Sequence, residues 1–300
     1  MYQHEIPGGK KPFLWRVQLR NFRSIARCSV GLRPLTLLVG RNGAGKSNFL
    51  DAIALVTEAL RSDVAEALRR RGGIDEVRRR SKGHPKSFII ELAFNLPGAQ
   101  RAELGVEIAV RGRGGFTIAR EQLTVVSSLG ETLAGYTRRE ERVLRSTLAD
   151  PPPVLADRLF LANAAGWPAF RPAYEALLAL GRHRFEPSAI RRLEEPDGGR
   201  PLTEDGSNLA SVVGRLEREA PEALARVLAI LRCIVPEVEG LEAVAVGPCE
   251  TLQLRQRVHG AGEPWRFYAS SLSDGTLRAL AALVAVHQPV SPAMPARLVA

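Results

Sequence analysis

The sequence is poor in cysteine and has no long apolar run, and each shortage excludes a class of protein. Its three cysteines, Cys28, Cys233 and Cys249, are an odd number without a CxxC spacing, which argues against a disulfide scaffold or a zinc site and favours a reducing compartment. The N-terminal segment lacks the apolar stretch of a secretory signal. The longest apolar run, residues 277–286, contains Arg278 and is much shorter than the roughly 20 residues of a membrane-spanning helix. We therefore expect a cytoplasmic protein with no membrane partner.

Lysine is also scarce, although the chain as a whole is basic. The net charge is +10, and all but five of the 42 basic residues are arginine. This balance permits an anionic partner without demonstrating one, because abundant arginine also results from a GC-rich genome. Apolar residues make up 45% and charged residues 25% of the 300 residues, so a mainly disordered or fibrous chain is excluded.

The first half of the chain has the patterns of a sheet with one early helix. Alternating apolar residues over 13–19 predict a strand, and the apolar run 35–39 predicts a strand buried on both faces. Apolar residues at helical spacing from Phe49 to Leu60 predict an amphipathic helix of about four turns. Three later strands, with glycines between the last two, predict an antiparallel sheet with a hairpin. These strands are residues 88–94, 104–110 and 116–126.

The second half has mainly helical periodicity. Residues 170–180 and 208–234 carry apolar faces at helical spacing, and residues 205–207 (Asp-Gly-Ser) supply a turn and an N-cap to the second segment. Residues 265–268 predict a strand, which a polar turn and an apolar helix follow.

A glycine-rich segment between the second predicted strand and the first helix matches the pattern GxxxxGK[ST]. A polyphosphate needs several converging backbone N–H groups, and glycines let the backbone wrap that tightly. The positive end of the following helix adds to this attraction. We expect Lys46 to reach the β- and γ-phosphates of ATP and the Ser47 hydroxyl to bind Mg²⁺. The predicted nucleotide-binding residues are Gly40, Arg41, Asn42, Gly43, Ala44, Gly45, Lys46, Ser47 and Asn48.

A second motif lies near the other end of the chain. Residues 272–276, Leu-Ser-Asp-Gly-Thr, precede an apolar helix and resemble the LSGGQ signature of ABC-type ATPases. Ser273 or Asp274 is a natural N-cap for that helix. The resemblance implies that Ser273 and Gly275 bind the γ-phosphate of a nucleotide held by a second subunit. The alternative is an ordinary capped helix of the core.

Together these motifs resemble the RecF-like, SMC-related branch of ABC-type ATPases, often catalogued as predicted AAA-family ATPases. Residues 19–25 (Leu-Arg-Asn-Phe-Arg-Ser-Ile) and 205–209 (Asp-Gly-Ser-Asn-Leu) and the region of Pro236 are also similar to that group. The 232 residues between loop and signature suit this branch. The resemblance implies that Arg23 approaches the nucleotide; the alternative is a surface arginine on an edge strand.

The resemblance implies an α/β fold of the P-loop NTPase class, of ABC/SMC-head type, with a mixed sheet, an antiparallel β lobe and a largely helical insertion. We expect residues 1–130 to form the nucleotide-binding lobe with the P-loop and the antiparallel strands. Residues 131–260 are then the mixed, largely helical insertion. Residues 261–300 form the signature segment, whose lobe we expect to be incomplete.

An ATPase of this kind also needs a Walker B strand that ends in an acid for Mg²⁺ and a glutamate for the attacking water. Residues 295–300 look like the start of that strand, and no acid follows them. Glu91 and Asp157 are weak substitutes, since Glu91 fits the surface of a half-buried strand. Gln122 lies in a predicted strand and is not a convincing Q-loop residue. The catalytic residues are therefore unknown, and we expect this 300-residue chain to bind ATP and hydrolyse it poorly, with a longer parent or complementing chain as the true ATPase.

The resemblance implies an ATP-dependent dimerisation switch in DNA repair or DNA metabolism, in which a homodimer holds ATP between the loop of one subunit and the signature of the other. Residues 61–86, with nine basic and four acidic residues, are the candidate DNA surface; the alternative is a solvated charged loop. A second hypothesis is a regulatory or defence-associated ATPase subunit that acts through a protein partner such as a nuclease. A small-molecule P-loop kinase would leave the signature unexplained.

Overall fold

A computed structural model describes residues 13–112, 114–198 and 200–288 and the backbone of 296–299. The chain divides into two compact units, Met1–Leu180 and Gly181–Ala300. This division differs from the predicted boundaries at 130 and 260, because strands after residue 130 extend the sheet of the first unit. No helix in the described ranges is both long and apolar enough to cross a membrane.

The first unit is built on an antiparallel sheet of seven strands in the order β2-β1-β3-β4-β5-β6-β7. The side chains of each strand alternate between a buried and a more exposed face, as in β4, where Leu104 and Val106 are buried and Glu103 is exposed. The predicted antiparallel sheet and its glycine hairpin are thus confirmed. The strands are β1 (Leu14–Phe22), β2 (Ile25–Gly31), β3 (Ser87–Asn95), β4 (Arg101–Arg111), β5 (Gly115–Val126), β6 (Thr132–Arg139) and β7 (Arg142–Ser146).

Among the described residues of this unit, five segments form α-helices. The longest, α1, has 16 residues and buries an apolar stripe that includes Phe49, Ile53 and Val56 against β1 and β3, which confirms the predicted helix of about four turns. The helices are α1 (Lys46–Arg61), α2 (Val64–Arg69), α3 (Ile74–Val77), α4 (Phe160–Ala164) and α5 (Arg171–Leu178).

The strand predicted at residues 35–39 does not form. These residues pair with no strand in the described part of the chain, and Leu35, Leu37 and Val39 are 66%, 77% and 92% exposed. An apolar run becomes a buried strand only where neighbouring strands cover its backbone and other layers cover both faces. The apolar residues of 35–39 have the composition of a buried strand, but the local sequence does not show whether other strands pair with them.

A buried charge network joins the sheet to the segment that leads into α4. The Glu121 carboxylate on β5 accepts hydrogen bonds from the Tyr136 hydroxyl at 2.6 Å and from the backbone N–H groups of Phe160 and Leu161 at 2.6 and 3.0 Å. Arg138 lies 3.5 Å from the same carboxylate and donates to the carbonyl oxygens of residues 155 and 158. Burial raises the pKa of Glu121, although these donors oppose the shift. Glu121 therefore caps α4 and neutralises a buried arginine.

The second unit packs helices against a three-stranded antiparallel sheet, β11-β10-β9, beside a two-stranded sheet, β12-β8. The core lies between α7, α8 and α9 and this sheet, and includes Val213, Leu231, Leu254 and Leu280. Its elements are β8 (Leu180–His183), α6 (Pro187–Ile190), α7 (Leu209–Glu219), α8 (Pro221–Ile234), β9 (Val238–Val246), β10 (Cys249–Gln256), β11 (Trp265–Tyr268), α9 (Asp274–His287) and β12 (Ala296–Val299).

The helical segment predicted at 208–234 is two helices, because Pro221 lacks the N–H that would continue the first. The turn at 205–207 is confirmed: the Asp205 carboxylate accepts the Ser207 N–H at 3.0 Å, and Gly206 has a φ of 80°. The N-cap is Asn208 and not a residue of that turn. The Asn208 side chain instead accepts the Thr203 N–H at 2.8 Å.

Replacement of Glu121 by alanine would leave the buried Arg138 charge uncompensated, and the Tyr136 hydroxyl and two backbone N–H groups would lose their acceptor. We expect the free energy of unfolding to fall by about 3–5 kcal/mol, measured by urea denaturation. Glu131→Ala, at an exposed turn position, is the control and should change stability by less than about 0.5 kcal/mol. Equal effects of both changes would refute the role given to Glu121.

Candidate nucleotide site

The predicted phosphate loop turns tightly into the N-terminus of α1. Gly43 and Gly45 have φ angles of 79° and 92°, a backbone conformation that favours glycine. The Ala44 N–H donates to the Arg41 carbonyl oxygen at 3.1 Å. No described side chain caps α1, and its first turn holds no acidic residue. The loop therefore leaves the positive end of a 16-residue helix available to an anion.

Lys46 lies over this loop. Its ammonium group donates to the carbonyl oxygens of Gly40 at 2.7 Å and Arg41 at 3.0 Å. These contacts fold the Lys46 side chain back across the bend. The ammonium group therefore lies at the loop, where a bound phosphate would also lie. Ser47, the next residue in the first turn of α1, is exposed and offers a hydroxyl oxygen beside it.

A hairpin turn supports the loop from one side. Arg23 and Ser24 form the two-residue connection between β1 and β2. The Asn48 side-chain amide donates to the Ser24 hydroxyl at 2.7 Å. A Cβ atom on Gly45 would lie 3.4 Å from both the Ser24 Oγ and the Ile25 Cγ1, so the hairpin packs closely against the glycine that begins α1.

The structure places Arg23 beside α1 and not on a free edge. Its guanidinium Nη2 lies 2.9 Å from the Asp51 carboxylate, and its backbone N–H donates to the Val77 carbonyl at 2.7 Å. Asp51 is one turn beyond Lys46, so the arginine that the resemblance assigns to the nucleotide is held near the phosphate loop. Its contact with nucleotide stays a prediction.

A buried arginine that sequence reasoning did not single out holds Asp51 in place. Arg71, with a side chain only 5% exposed, lies 3.0 Å from Asp51 and 2.6 Å from Glu58. Burial by itself lowers the pKa of Arg71, but the hydrogen bond to Glu58 and the charge of Asp51 raise it overall. Asp51 and Glu58 are seven residues apart and share one face of α1. That spacing on an otherwise apolar helix is the signal that could have revealed the network.

The candidate DNA surface at residues 61–86 is smaller than its composition indicates. Arg71 is buried, and Arg79 donates through Nη1 to the Ser24 carbonyl at 2.7 Å. The other paired arginines each contact an acid within the stretch: Arg69 and Arg70 contact Glu66, Arg78 contacts Asp75 and Arg80 contacts Glu76. Lys82 and Lys86 are exposed and form no ion pair within the described ranges.

The signature segment forms the capped start of α9. The Ser273 Oγ accepts the Thr276 N–H at 3.1 Å, which confirms Ser273 as the N-cap. Ser273, Asp274 and Gly275 are exposed, while Leu277 and the apolar face after it are buried. The buried face anchors the helix, and its N-terminal residues are presented to solvent.

The candidate substitutes for the Walker B acids are not in suitable positions. Glu91 is exposed on β3 opposite Gly105 of β4, which confirms the interpretation of a half-buried strand with Glu91 at its surface. Asp157 is exposed in the segment before α4, and Gln122 lies within β5 and accepts a hydrogen bond from Arg120 at 2.5 Å.

The strand expected near residue 295 forms as β12 (Ala296–Val299) and pairs with β8. Pro295 and Ala300 lie outside the described residues.

In the part of the chain that the structure describes, no group of three or more His, Cys, Asp or Glu side chains could hold a metal ion. The exposed Ser47 hydroxyl is the side-chain oxygen at the loop that could ligate a Mg²⁺ ion, together with phosphate oxygens and water.

The glycine loop before α1 and the serine-capped helix α9 are the two motifs on which the resemblance to RecF-like, SMC-related ABC-type ATPases rests. The family model described as "AAA domain, putative AbiEii toxin, Type IV TA system" matches residues 35–299, and the chain belongs to this family.

Two curated relatives cover parts of the chain. A "DNA replication and repair protein RecF" from Brucella abortus (strain 2308) is 30% identical over 124 residues, which are 41% of this chain and 29% of the relative. The protein of the same name from Paenarthrobacter aurescens (strain TC1) is 30% identical over 184 residues, 55% of this chain and 45% of the relative. The chain therefore spans less than half the length of these relatives.

Solved structures with similarity to the chain include SMC and RecF proteins. An SMC head bound to the C-winged helix domain of ScpA is 16% identical and has a TM-score of 0.43. The matched region is 92% of this chain and 76% of the SMC chain. A recombination mediator protein RecF is 10% identical, covers 97% and 93% respectively, and has a TM-score of 0.35.

Replacement of Gly45 by alanine would force a side chain into a left-handed backbone conformation, with its Cβ in ordinary van der Waals contact with the hairpin turn. We expect a loss of about 1–2 kcal/mol in the free energy of unfolding, measured by thermal denaturation. Gly43→Ala, where φ is also positive and no atom lies within 4 Å of the added Cβ, should cost a similar amount, because the left-handed backbone is the common cause. Gly31→Ala, without a positive φ, is the neutral control. If Gly31→Ala lowers the free energy of unfolding more than the other two changes, this account of the loop is wrong.

Proposed function

We propose that this protein is an ATP-binding switch whose two copies close around nucleotide. The observation that carries the proposal is the uncapped, acid-free start of α1 with Lys46 over its glycine loop. Its family membership supports the proposal, because that family's model spans both the loop and the signature.

On this proposal, ATP enters the bend before α1 with its phosphates against the backbone N–H groups of residues 43–47. Lys46 exchanges its contacts with the carbonyls of Gly40 and Arg41 for the β- and γ-phosphates. Ser47 binds the Mg²⁺ that accompanies the nucleotide. Arg23, held by Asp51 near the same loop, adds a second positive charge.

The second copy contributes its signature helix. Ser273 and Gly275 are exposed at the start of α9, where a hydroxyl and a backbone N–H can meet the γ-phosphate held by the other subunit. In this arrangement, the nucleotide on one subunit gains the contacts with Ser273 and Gly275 only when the second copy binds. Dimerisation therefore depends on the triphosphate.

For the role of the switch, we propose DNA repair or DNA metabolism in the cytoplasm, since the curated relatives are named as DNA replication and repair proteins. The second candidate is a regulatory subunit that acts through a protein partner such as a nuclease. The ion pairs of Arg69, Arg78 and Arg80 with acids of the same stretch support this second candidate, because these cations are already engaged and a phosphate would have to displace their partners.

Lys46→Ala removes the ammonium group from the loop and should weaken ATP binding at least about tenfold, the equivalent of one hydrogen bond to a charged group. Isothermal titration with ATP and Mg²⁺ measures the effect. Lys82→Ala, an exposed lysine outside the glycine-loop motif, should leave the affinity unchanged. An unchanged affinity in Lys46→Ala would refute the nucleotide site.

The two candidate roles differ in their response to charge reversal at Lys82 and Lys86. If this surface binds DNA, the Lys82→Glu/Lys86→Glu variant should weaken binding and reduce the salt slope of the binding constant by about 2. A variant with Arg142→Glu and Arg145→Glu, at exposed positions of β7, makes the same change of charge elsewhere. Equal DNA binding by wild type and both variants would argue for the protein partner.

A further inference from the structure

The signature segment carries an acid where the motif that it resembles has a glycine. Asp274 is the third residue of Leu-Ser-Asp-Gly-Thr and lies in the first turn of α9, with a side chain 57% exposed. A carboxylate at this position stabilises the helix through its dipole. It also lies between Ser273 and Gly275, the two residues that on the proposed function meet a phosphate. An uncompensated carboxylate there would repel the triphosphate.

The compensating charge comes from Arg191, which no sequence motif had singled out. Its Nη2 donates to the Asp274 Oδ1 at 2.6 Å and to the Leu272 carbonyl oxygen at 2.8 Å. Arg191 directly follows α6, whose residues Ala189 and Ile190 are buried, so its backbone is held firmly. The guanidinium is 30% exposed, and its planar set of N–H donors can contact both acceptors at once.

We propose that Arg191 is a positioning residue for nucleotide-dependent dimerisation, an inference that rests on the proposed function. It neutralises Asp274, and it fixes the Leu272 carbonyl so that the backbone N–H groups of the following residues face outward. The signature of this chain is thus a four-part unit of Ser273, Asp274, Gly275 and Arg191. Its ligand is the terminal phosphate of the nucleotide bound by a second copy.

The two contacts of Arg191 predict different behaviour in a double variant. If neutralisation of Asp274 is the essential role, removal of the Asp274 charge makes Arg191 dispensable. If Arg191 acts only by holding the Leu272 carbonyl, removal of the Asp274 charge changes nothing. A merely structural arginine would not be rescued by Asp274→Asn.

The test measures the dimer dissociation constant by sedimentation velocity with ATP and Mg²⁺, and the ATP affinity of the monomer by titration at low protein concentration. We expect Arg191→Ala to weaken the dimer about tenfold or more with the monomer's ATP affinity unchanged. Arg191→Ala/Asp274→Asn should return to within about twofold of wild type. Arg192→Ala, a neighbouring arginine with a side chain 63% exposed, is the matched control and should dimerise normally.

Three outcomes would overturn the inference. If Arg191→Ala dimerises like wild type, Arg191 has no role in dimerisation. If Arg191→Ala/Asp274→Asn dimerises as weakly as Arg191→Ala, Arg191 does not act by neutralising Asp274. A wild type that binds ATP but stays monomeric refutes the proposed function, and the inference falls with it. If Arg191→Ala does not fold, Arg191→Gln carries the same test, because it removes the charge and keeps a polar side chain with N–H donors at this position.

Discussion

The tight bend at Gly45 is the constraint on which the rest of the candidate site depends. A left-handed glycine at this point turns the chain into α1 without a capping side chain, so the N-terminal N–H groups of the helix stay unsatisfied. The same bend brings Lys46 back over the carbonyls of Gly40 and Arg41 and lets the turn at Ser24 pack against the loop. A bulkier residue at position 45 would disturb the helix start and the hairpin contact together.

The parts of the fold that the sequence predicted well are those specified by local periodicity. The strands β3, β4 and β5 alternate between core and surface, and α1 repeats its apolar residues at helical spacing. The prediction for residues 35–39 was wrong because burial depends on neighbours that a local pattern does not contain. The N-cap of α7 was predicted within residues 205–207, and the structure has it at Asn208. The prediction missed by a short distance because adjacent Asp, Ser and Asn residues have similar capping propensities.

For the site, the motif predicted the residues of the loop and the cap at Ser273, whereas tertiary contacts determined the partners of the arginines. The net charge of +10 permitted an anionic partner without demonstrating one, and Arg71 is in fact buried between two acids and Arg191 is bound to Asp274. These pairs join residues 20 and 83 positions apart along the chain. The spacing of Asp51 and Glu58 marks two acids on one face of α1, but it does not say which arginine lies between them, and no local pattern pairs Arg191 with Asp274.

The hairpin turn at Arg23 and Ser24 has a consequence for local stability. The Arg23 N–H is bonded to the Val77 carbonyl, the Arg79 N–H to the Asn21 carbonyl, and the Arg79 side chain to the Ser24 carbonyl. Hydrogen bonds therefore connect residues 77–79 to the turn that contacts Gly45. Amide protons on both segments should exchange with solvent through one shared opening event, so a ligand that rigidifies the glycine bend would slow exchange as far away as Arg79.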